Sequence, residues 1–546
     1  MSRPSHRPTG KKLMMNNNDT SQITNGRKVR PLNSPPFSAG WGRVLGLALL
    51  LVSAVPSYAG TKPVLNNEKP TVKFSSDLQQ RAGSNDMVTV IVQHRQMPTS
   101  AHLKGMQGRG ATINKQFHTI RAVTMRVPVS MLAELAKDPN VAYITPDRTQ
   151  KMTANPVTEE FATAVQADIA ASQYALDGTG VGVAVIDSGI AAHPDLNDAN
   201  GNSRVVYSQS FVTGDTTTSD KYGHGTHVAG LIGGTGASSS TANGYAATYA
   251  GMAPNVNLVN LRVLDQNGSG TDSQVIAAIE QAIALQSTYN IRVISMSLGR
   301  PVFESYTLDP VDQAVEAAWK AGIVVVVAAG NSGRSGAANG FGTVGVPAND
   351  PAVITVGATM TKLTPTRVDD QIASYSSKGP TTLDHIVKPD LVAPGNAQVS
   401  LRVNGSTLDT VYPQFEVTST NGTSQYFVLS GTSMATPIVS GAVALMLQQN
   451  PSLTPDQVKA RLMKTAWKGV GQFTFSHDHL GNIYNNEADL FTYGAGYLNI
   501  YAALGSTDLA TGLALSPTAV LNSNGSVTIT NALQSKTSQG EDADAA

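Results

Sequence analysis

Residues 181–189 read Val-Gly-Val-Ala-Val-Ile-Asp-Ser-Gly. The first six carry no charge and no polar alternate positions, and β-branched side chains dominate, so they fit a short strand covered on both faces. That strand ends in a carboxylate, Asp187, beside a glycine. Further runs rich in Val, Ile and Leu lie at 258–263, 292–296, 323–328 and 352–356, the first two carrying Asn260, Arg262, Arg292 and Ser295 among them, while helical spacing of apolar residues fills 273–285 and 311–321 and recurs at 434–449 and 454–466. Buried strands alternating with helices imply a three-layer α/β domain, a mainly parallel sheet flanked by helices. In such sheets functional groups gather beyond the carboxyl ends of the strands.

Four windows there carry chemistry. Asp187 alone could be a turn cap. In Gly223-His224-Gly225-Thr226-His227-Val228-Ala229-Gly230 two histidines sit three apart. A zinc peptidase needs His-Glu-x-x-His, with a glutamate and a four-residue spacing, and neither is present. His227 fits a packed core histidine. His224, with glycines on both sides that admit another backbone or side chain, fits a base. Leu429-Ser430-Gly431-Thr432-Ser433-Met434-Ala435-Thr436-Pro437 precedes an apolar helix. A serine there could be an ordinary N-cap, with Pro437 tolerated in or near the first turn. The same place supplies free backbone N–H groups and the positive end of a helix dipole, which suit an oxyanion. Asn331, in Ala328-Ala329-Gly330-Asn331-Ser332-Gly333 at the end of another buried strand, reads by itself as a turn residue.

Aspartate, histidine and serine in that order, set in Val-Ile-Asp-Ser-Gly, Gly-His-Gly-Thr-His-Val-Ala-Gly and Gly-Thr-Ser-Met-Ala-Thr-Pro, resemble the subtilisin-like serine proteases, the subtilases. The resemblance covers about residues 87–505. It implies Ser433 as nucleophile, His224 as general base and then acid, and Asp187 as the group that orients the imidazole. A serine hydroxyl attacks a carbonyl usefully near neutral pH only when a neighbouring base takes its proton. Asn331 and the backbone N–H of Ser433 would form the oxyanion hole. By the same resemblance Ser297, Leu298 and Gly299 pair with the extended substrate backbone, and Ala328, Ala329 and Gly330 form the opposite wall of the primary pocket. Gly345, in Thr343-Val344-Gly345-Val346-Pro347, lies at its floor. A glycine there leaves space for large apolar or aromatic side chains before the cut.

Residues 87–147 read as strand, helical stretch, strand, short helix (129–137) and strand, a small α+β unit. It resembles the ferredoxin-like inhibitory prodomain of these enzymes, which assists folding and is then removed. Upstream, an uncharged run at 44–55 follows a basic stretch and precedes small residues at Ser57 and Ala59. This is the pattern of a secretory signal peptide cut after Ala59. The alternative, an uncleaved anchor, has 12 apolar residues against the ~20 that span a bilayer. The expected organisation is a signal peptide at 1–59, a propeptide at 60–150, a catalytic domain at 151–505 with a linker at 150–163, and a tail at 506–546. The tail holds a hairpin near Asn522-Ser523-Asn524-Gly525 and ends in a polar, disordered stretch.

Two departures stand out. The segment 233–249 is rich in Gly, Ser, Ala and Thr, without the carboxylates of a calcium loop. Asp195 matches a calcium-binding aspartate of some members, so structural calcium is compatible but its ligands are not assigned, and the chemistry needs no cofactor. The insert at 396–428 has strand-like alternation at 411–417, expected as a hairpin beside the cleft.

The chain of 546 residues has no cysteine, which excludes disulfides, thiolate metal sites and a cysteine nucleophile. Its 38 basic and 38 acidic residues cancel only in sum. Residues 1–43 carry eight Lys or Arg against one acid, 44–150 twelve against six, and the rest eighteen against thirty-one. A basic prodomain facing an acidic catalytic region is compatible with electrostatic docking. The expectation is a secreted serine endopeptidase made as a self-processing zymogen. It would act as a monomer on protein or peptide substrates, with its own propeptide as inhibitor, no nucleic-acid partner, and no membrane association after signal cleavage. Two alternatives are an inactive subtilase-like binding protein, which usually lacks a catalytic residue, and a serine esterase, which needs Gly-x-Ser-x-Gly and the order Ser, Asp, His. The glycines of Gly178-Thr179-Gly180-Val181-Gly182 precede their strand, which excludes a dinucleotide site.

Overall fold

The computed structural model describes residues 73–79, 86–151, 161–335, 338–362, 364, 366–477 and 482–530. The segment 1–59 expected as a signal peptide, most of the expected linker and the polar end of the tail lie outside them.

An eight-stranded sheet forms the centre. Across it run Gln371–Ile372, Ile354–Met360, Val324–Ala328, Ile291–Met296, Gly182–Asp187, Asn257–Arg262 and Val205–Ser210, with Leu391–Pro394 also paired to Ile354–Met360. Every pairing is parallel except that of the short edge strand Gln371–Ile372. The Val/Ile runs are buried along their whole length because helices cover both faces. The helix Thr432–Gln449 is buried from Thr432 to Leu447 and packs on the sheet beside the helix His224–Gly233, itself wholly buried. Apolar residues on all sides of such a helix mark it as core.

Parallel register aligns the carboxyl ends of neighbouring strands. Ile186 lies opposite Met296 and Asp187 opposite Arg262. Asp187, Ser297 after Met296, and Asn331 after Ala328 therefore leave the sheet at one edge.

Residues 87–146 form a separate four-stranded antiparallel sheet, ordered Thr112–Phe117, Ala122–Pro128, Met87–His94, Val141–Pro146, with helices Ser100–Gln107 and Leu132–Lys137. The β-α-β-β-α-β order is the ferredoxin-like one. The polar strand Thr112–Phe117 is absent from the sequence reading because its edge position leaves most of its residues solvated. One side has its own core around Val90, Val92 and Leu132, while Ile91, Phe117, Ile120 and Ala122 join the core of the large domain.

Two expectations need correction. Residues 411–417 are not a strand: Ser406 caps a helix Thr407–Val411, a 3-10 turn follows at Pro413–Phe415, and only Glu416–Thr418 pairs with Ser424–Leu429. The capping hydroxyl and Pro413, which has no N–H to give a ladder, override the alternation. The linker is not wholly irregular either, since Thr149–Lys151 pairs antiparallel with Ser269–Thr271. The expected tail hairpin forms from Thr518–Leu521 and Val527–Thr530.

Beneath the sheet lies a wholly buried charge cluster. Asp390 sits 2.8 Å from Lys388 Nζ and 3.2 Å from Lys459 Nζ. Lys459 also donates to the carbonyls of Pro351 and Val353, and burial pushes its ammonium down to about 7. Asp390→Ala strands two buried ammonium groups, an effect of about 3–5 kcal/mol. Urea unfolding followed by circular dichroism should show the midpoint falling accordingly; an unchanged midpoint would refute the assigned role.

Candidate active site

Asp187 and His224 are both buried, and His224 Nδ1 lies 2.9 Å from Asp187 Oδ1 and 3.1 Å from Oδ2. A carboxylate only accepts, so Nδ1 carries the hydrogen and Nε2 of the neutral ring is left as an acceptor. Gly225 is required for this approach: a Cβ there would stand 2.2 Å from the Gly189 carbonyl oxygen.

A residue the sequence reading missed holds the two elements together. Asp220 Oδ1 accepts from Ser188 Oγ (2.9 Å), Tyr222 N (3.1 Å) and Gly223 N (2.7 Å). Its Oδ2 accepts from the N and Oγ1 of Thr226, both at 2.8 Å. Ser188 Oγ accepts in turn from Gly225 N. The signal was available as an acid four residues before the histidine, ahead of a glycine and a threonine in the first helical turn. His227 donates from Nε2 to the carbonyls of Gln398 and Phe427, and burial pushes it down to about 3, which leaves it a neutral core residue.

Ser433 is the second residue of its helix, which begins at Thr432, two residues ahead of the expected start, and Pro437 lies inside the helix just past its first turn. Proline has no N–H, and the Ser433 carbonyl loses its i+4 donor. Ser297 Oγ replaces it at 2.9 Å, while Ser433 Oγ donates back to the Ser297 carbonyl at 3.2 Å. Ser433 Oγ is thus turned to Ser297 and not to His224, whose Nε2 makes no hydrogen bond. Such bonds often form only with substrate bound. Asn331 Oδ1 accepts from the N (2.8 Å) and Oγ1 (3.0 Å) of Thr432, which fixes the amide beside Ser433.

Ser297, Leu298, Gly299, Ala328, Ala329, Gly330, Asn331, Gly345 and Ser433 all line one cleft of about 400 Å³. Gly345 is required by backbone as well as by space, because a Cβ there would meet the Arg300 carbonyl oxygen at 2.3 Å. The guanidinium of Arg300 does not serve the cleft. Its Nε reaches Asp272 (2.9 Å) and its Nη2 reaches Asp309 (2.6 Å).

Both carboxylate oxygens of Asp195 take protein donors. Its Oδ1 accepts from Ser238 N (2.8 Å) and its Oδ2 from Tyr426 Oη (2.5 Å). The Arg204 guanidinium donates to the carbonyls of Asp195, Gly233 and Val256, setting a fixed positive charge beside the loop. Among the described residues no group of three or more His, Asp or Glu could hold a metal ion.

A carboxylate-held imidazole with a free acceptor nitrogen, and a helix-start serine lining a cleft at the same sheet edge, is equipment for serine hydrolysis. The comparisons narrow that class. Residues 178–496 match the Peptidase_S8 model, described as the subtilase family. The chain is 37% identical over 403 residues to serine protease AprX of Bacillus subtilis (strain 168), covering 71% of this chain and 84% of that one. To subtilisin E of the same strain it is 34% identical over 446 residues, covering 79% and 95%. The fold is shared with fervidolysin from Fervidobacterium pennivorans, with a TM-score of 0.59 at 22% identity over 84% of this chain and 69% of that one. The chain belongs to the subtilase family and is a serine-type endopeptidase.

Ser297→Ala leaves the Ser433 carbonyl without its replacement donor, a cost of about 1–3 kcal/mol. The expected result is a lower urea midpoint, and equal stability of variant and wild type would contradict the pairing.

Proposed function

We propose that this endopeptidase works through Asp187, His224 and Ser433 and is made as an exported, self-processing zymogen. The observation that carries the chemistry is the buried Asp187–His224 bond at the sheet edge from which the Ser433 cleft opens. Ser433 Oγ rotates away from Ser297 and attacks the scissile carbonyl while His224 Nε2 takes its proton. The carbonyl oxygen, now negative, receives hydrogen bonds from Ser433 N–H and the Asn331 side-chain amide. The imidazolium, stabilised by Asp187, returns the proton to the leaving amine. Water then repeats the sequence on the acyl-enzyme, which releases acid and free serine. The cleft is lined by Gly, Ala, Val, Leu, Pro, Ser and Thr with Asn331, and its one charged residue, Arg300, turns its guanidinium to Asp272 and Asp309, so the reading extends to large apolar or aromatic residues before the cut.

The zymogen reading is supported by how the unit at 87–146 continues. Asp147 accepts from the N (2.7 Å) and Oγ (2.5 Å) of Ser273 at the start of the helix Asp272–Ala284, and Thr149–Lys151 adds a strand to Ser269–Thr271. An added strand occupies backbone groups that a substrate could use. Export rests on the basic-then-apolar start of the chain; no helix among the described residues is long and apolar enough to cross a membrane. The donor set at Asp195 further favours a loop clamped by protein groups and not by calcium.

Express the full chain as wild type, Ser433→Ala and His224→Ala. The wild type should shorten on its own and digest a denatured protein, Ser433→Ala should stay at full length, and His224→Ala should lose at least about 10²–10⁴-fold in rate. Identical behaviour of all three would rule the mechanism out. A chelator should move the melting temperature of the wild type by less than about 2 °C. Tyr426→Phe, which strips a donor from Asp195, should lower stability by about 1–3 kcal/mol. A large chelator effect would show that a metal, not Tyr426, holds the loop.

A further inference from the structure

Arg148 immediately precedes the strand that lies on Ser269–Thr271, and its carbonyl accepts from Asp272 N at 2.8 Å, so the ladder runs one residue further. Its side chain enters a slot on the catalytic part of the chain. Nη1 and Nη2 meet Glu304 Oε1 (2.5 Å) and Oε2 (2.7 Å) in a two-point fork. The other edge of the guanidinium, Nε and Nη2, meets Asp77 at 2.9 and 3.0 Å, and its carbon stands 4.8 Å from the centre of the Phe303 ring. Only 7% of Arg148 and 3% of Glu304 is exposed. Glu304 lies two residues beyond Val302, in the segment whose Arg300, Pro301 and Val302 line the substrate cleft.

Zymogen processing separates the residues that supply this arrangement, and the role assigned to Glu304 rests on that reading. Arg148 and Asp77 both leave with the propeptide, whereas Glu304 and Phe303 remain. Behind them Arg300 is already shared between Asp272 and Asp309. The mature enzyme is left with three carboxylates around one guanidinium, at the place where an incoming chain would run. Burial and the neighbouring Asp309 push Glu304 up to about 7 even with Arg148 in place. A slot that is shaped for a guanidinium and has just lost one recruits another.

We propose that Glu304, floored by Phe303, is a specificity-determining residue of the mature protease. It forms a subsite for an arginine side chain of the substrate, carried by the residue that precedes the three pairing with Ser269–Thr271. Backbone pairing fixes the register, and Asp272 N–H donates to the carbonyl of that same residue, as it does to that of Arg148. Arginine is favoured over lysine because only the planar fork bonds both carboxylate oxygens while stacking on the ring.

The full chain is expressed, allowed to process, and its active serine titrated so that each variant is compared per working site. Quenched peptides carry one arginine moved residue by residue through the N-terminal side of the cleaved bond. At one position arginine should raise kcat/KM about 10- to 100-fold over alanine, and lysine less. That ratio should fall toward one in Glu304→Gln, and in Glu304→Lys glutamate should become the preferred residue at the same position. A flat arginine series with intact hydrolysis, or an equal ratio in Glu304→Gln, overturns the subsite and leaves Glu304 as a partner of the propeptide alone. Absence of hydrolysis of every peptide by the wild type would overturn the zymogen protease reading and the subsite with it.

Discussion

The carboxylate of Asp220 accepts five hydrogen bonds, from a serine at the end of one strand, from two loop amides and from both donors of a threonine in the first turn of a helix. Through them the strand that ends in Asp187 and the helix that begins with His224 become one rigid corner. Burial of that carboxylate would be costly unpaired, and it is tolerated because its lone pairs are filled. With the corner fixed, Gly225 lets the Gly189 backbone pass at a distance no side chain would allow, and the imidazole meets Asp187 with both residues buried. The His224–Asp187 distance is therefore a consequence of packing and capping around it more than of the pair itself.

The serine is positioned by a different device. A helix buried on every side cannot find water for a carbonyl that proline has deprived of its donor, so a protein hydroxyl must come to it. Ser297 does so, and because it follows the strand Ile291–Met296 it joins the Ser433 helix to the sheet edge at the point where the cleft opens. The same residue that lines the cleft thus keeps the helix start in register with it.

Much of this was legible in the sequence, and the reasons differ by element. Strands buried on both faces announce themselves as runs rich in Val and Ile, and Gly182–Asp187, Ile291–Met296 and Val324–Ala328 fall within a residue or two of their expected ends. Strands at edges do not. Val205–Ser210 and Thr112–Phe117 carry Ser, Gln, Asn and Lys because half their surface is wet, and that composition reads as loop. The windows holding Asp187, His224, Asn331 and Ser433 were found because glycine and small residues surround them. Asp220 was not, since a lone acid in a polar loop looks solvated until its five donors are seen. The direction of the Ser433 hydroxyl and the slot around Glu304 depend on contacts between segments more than a hundred residues apart, which no local pattern encodes.

The insert before the Ser433 helix shows how the fold dispenses with ordinary surface-loop freedom in this region. Its strands Gln398–Leu401 and Ser424–Leu429 pair with each other, and their carbonyls at Gln398 and Phe427 both take the Nε2 hydrogen of His227, one turn along the helix from His224. Ser400 returns a bond to the His227 carbonyl. From the paired strand Ser424–Leu429, Tyr426 reaches Asp195 and packs against Tyr245 and Tyr249, so the loop beyond the histidine helix is held by aromatic contact and a phenol. Arg204 completes the clamp from the other side by gathering three carbonyls. A guanidinium and a phenol hydroxyl thus hold the oxygens of this loop by directional bonds. The insert therefore braces the helix that carries the imidazole, and its last strand, running on to Leu429 just before the Ser433 helix, couples the two helices through a single small sheet.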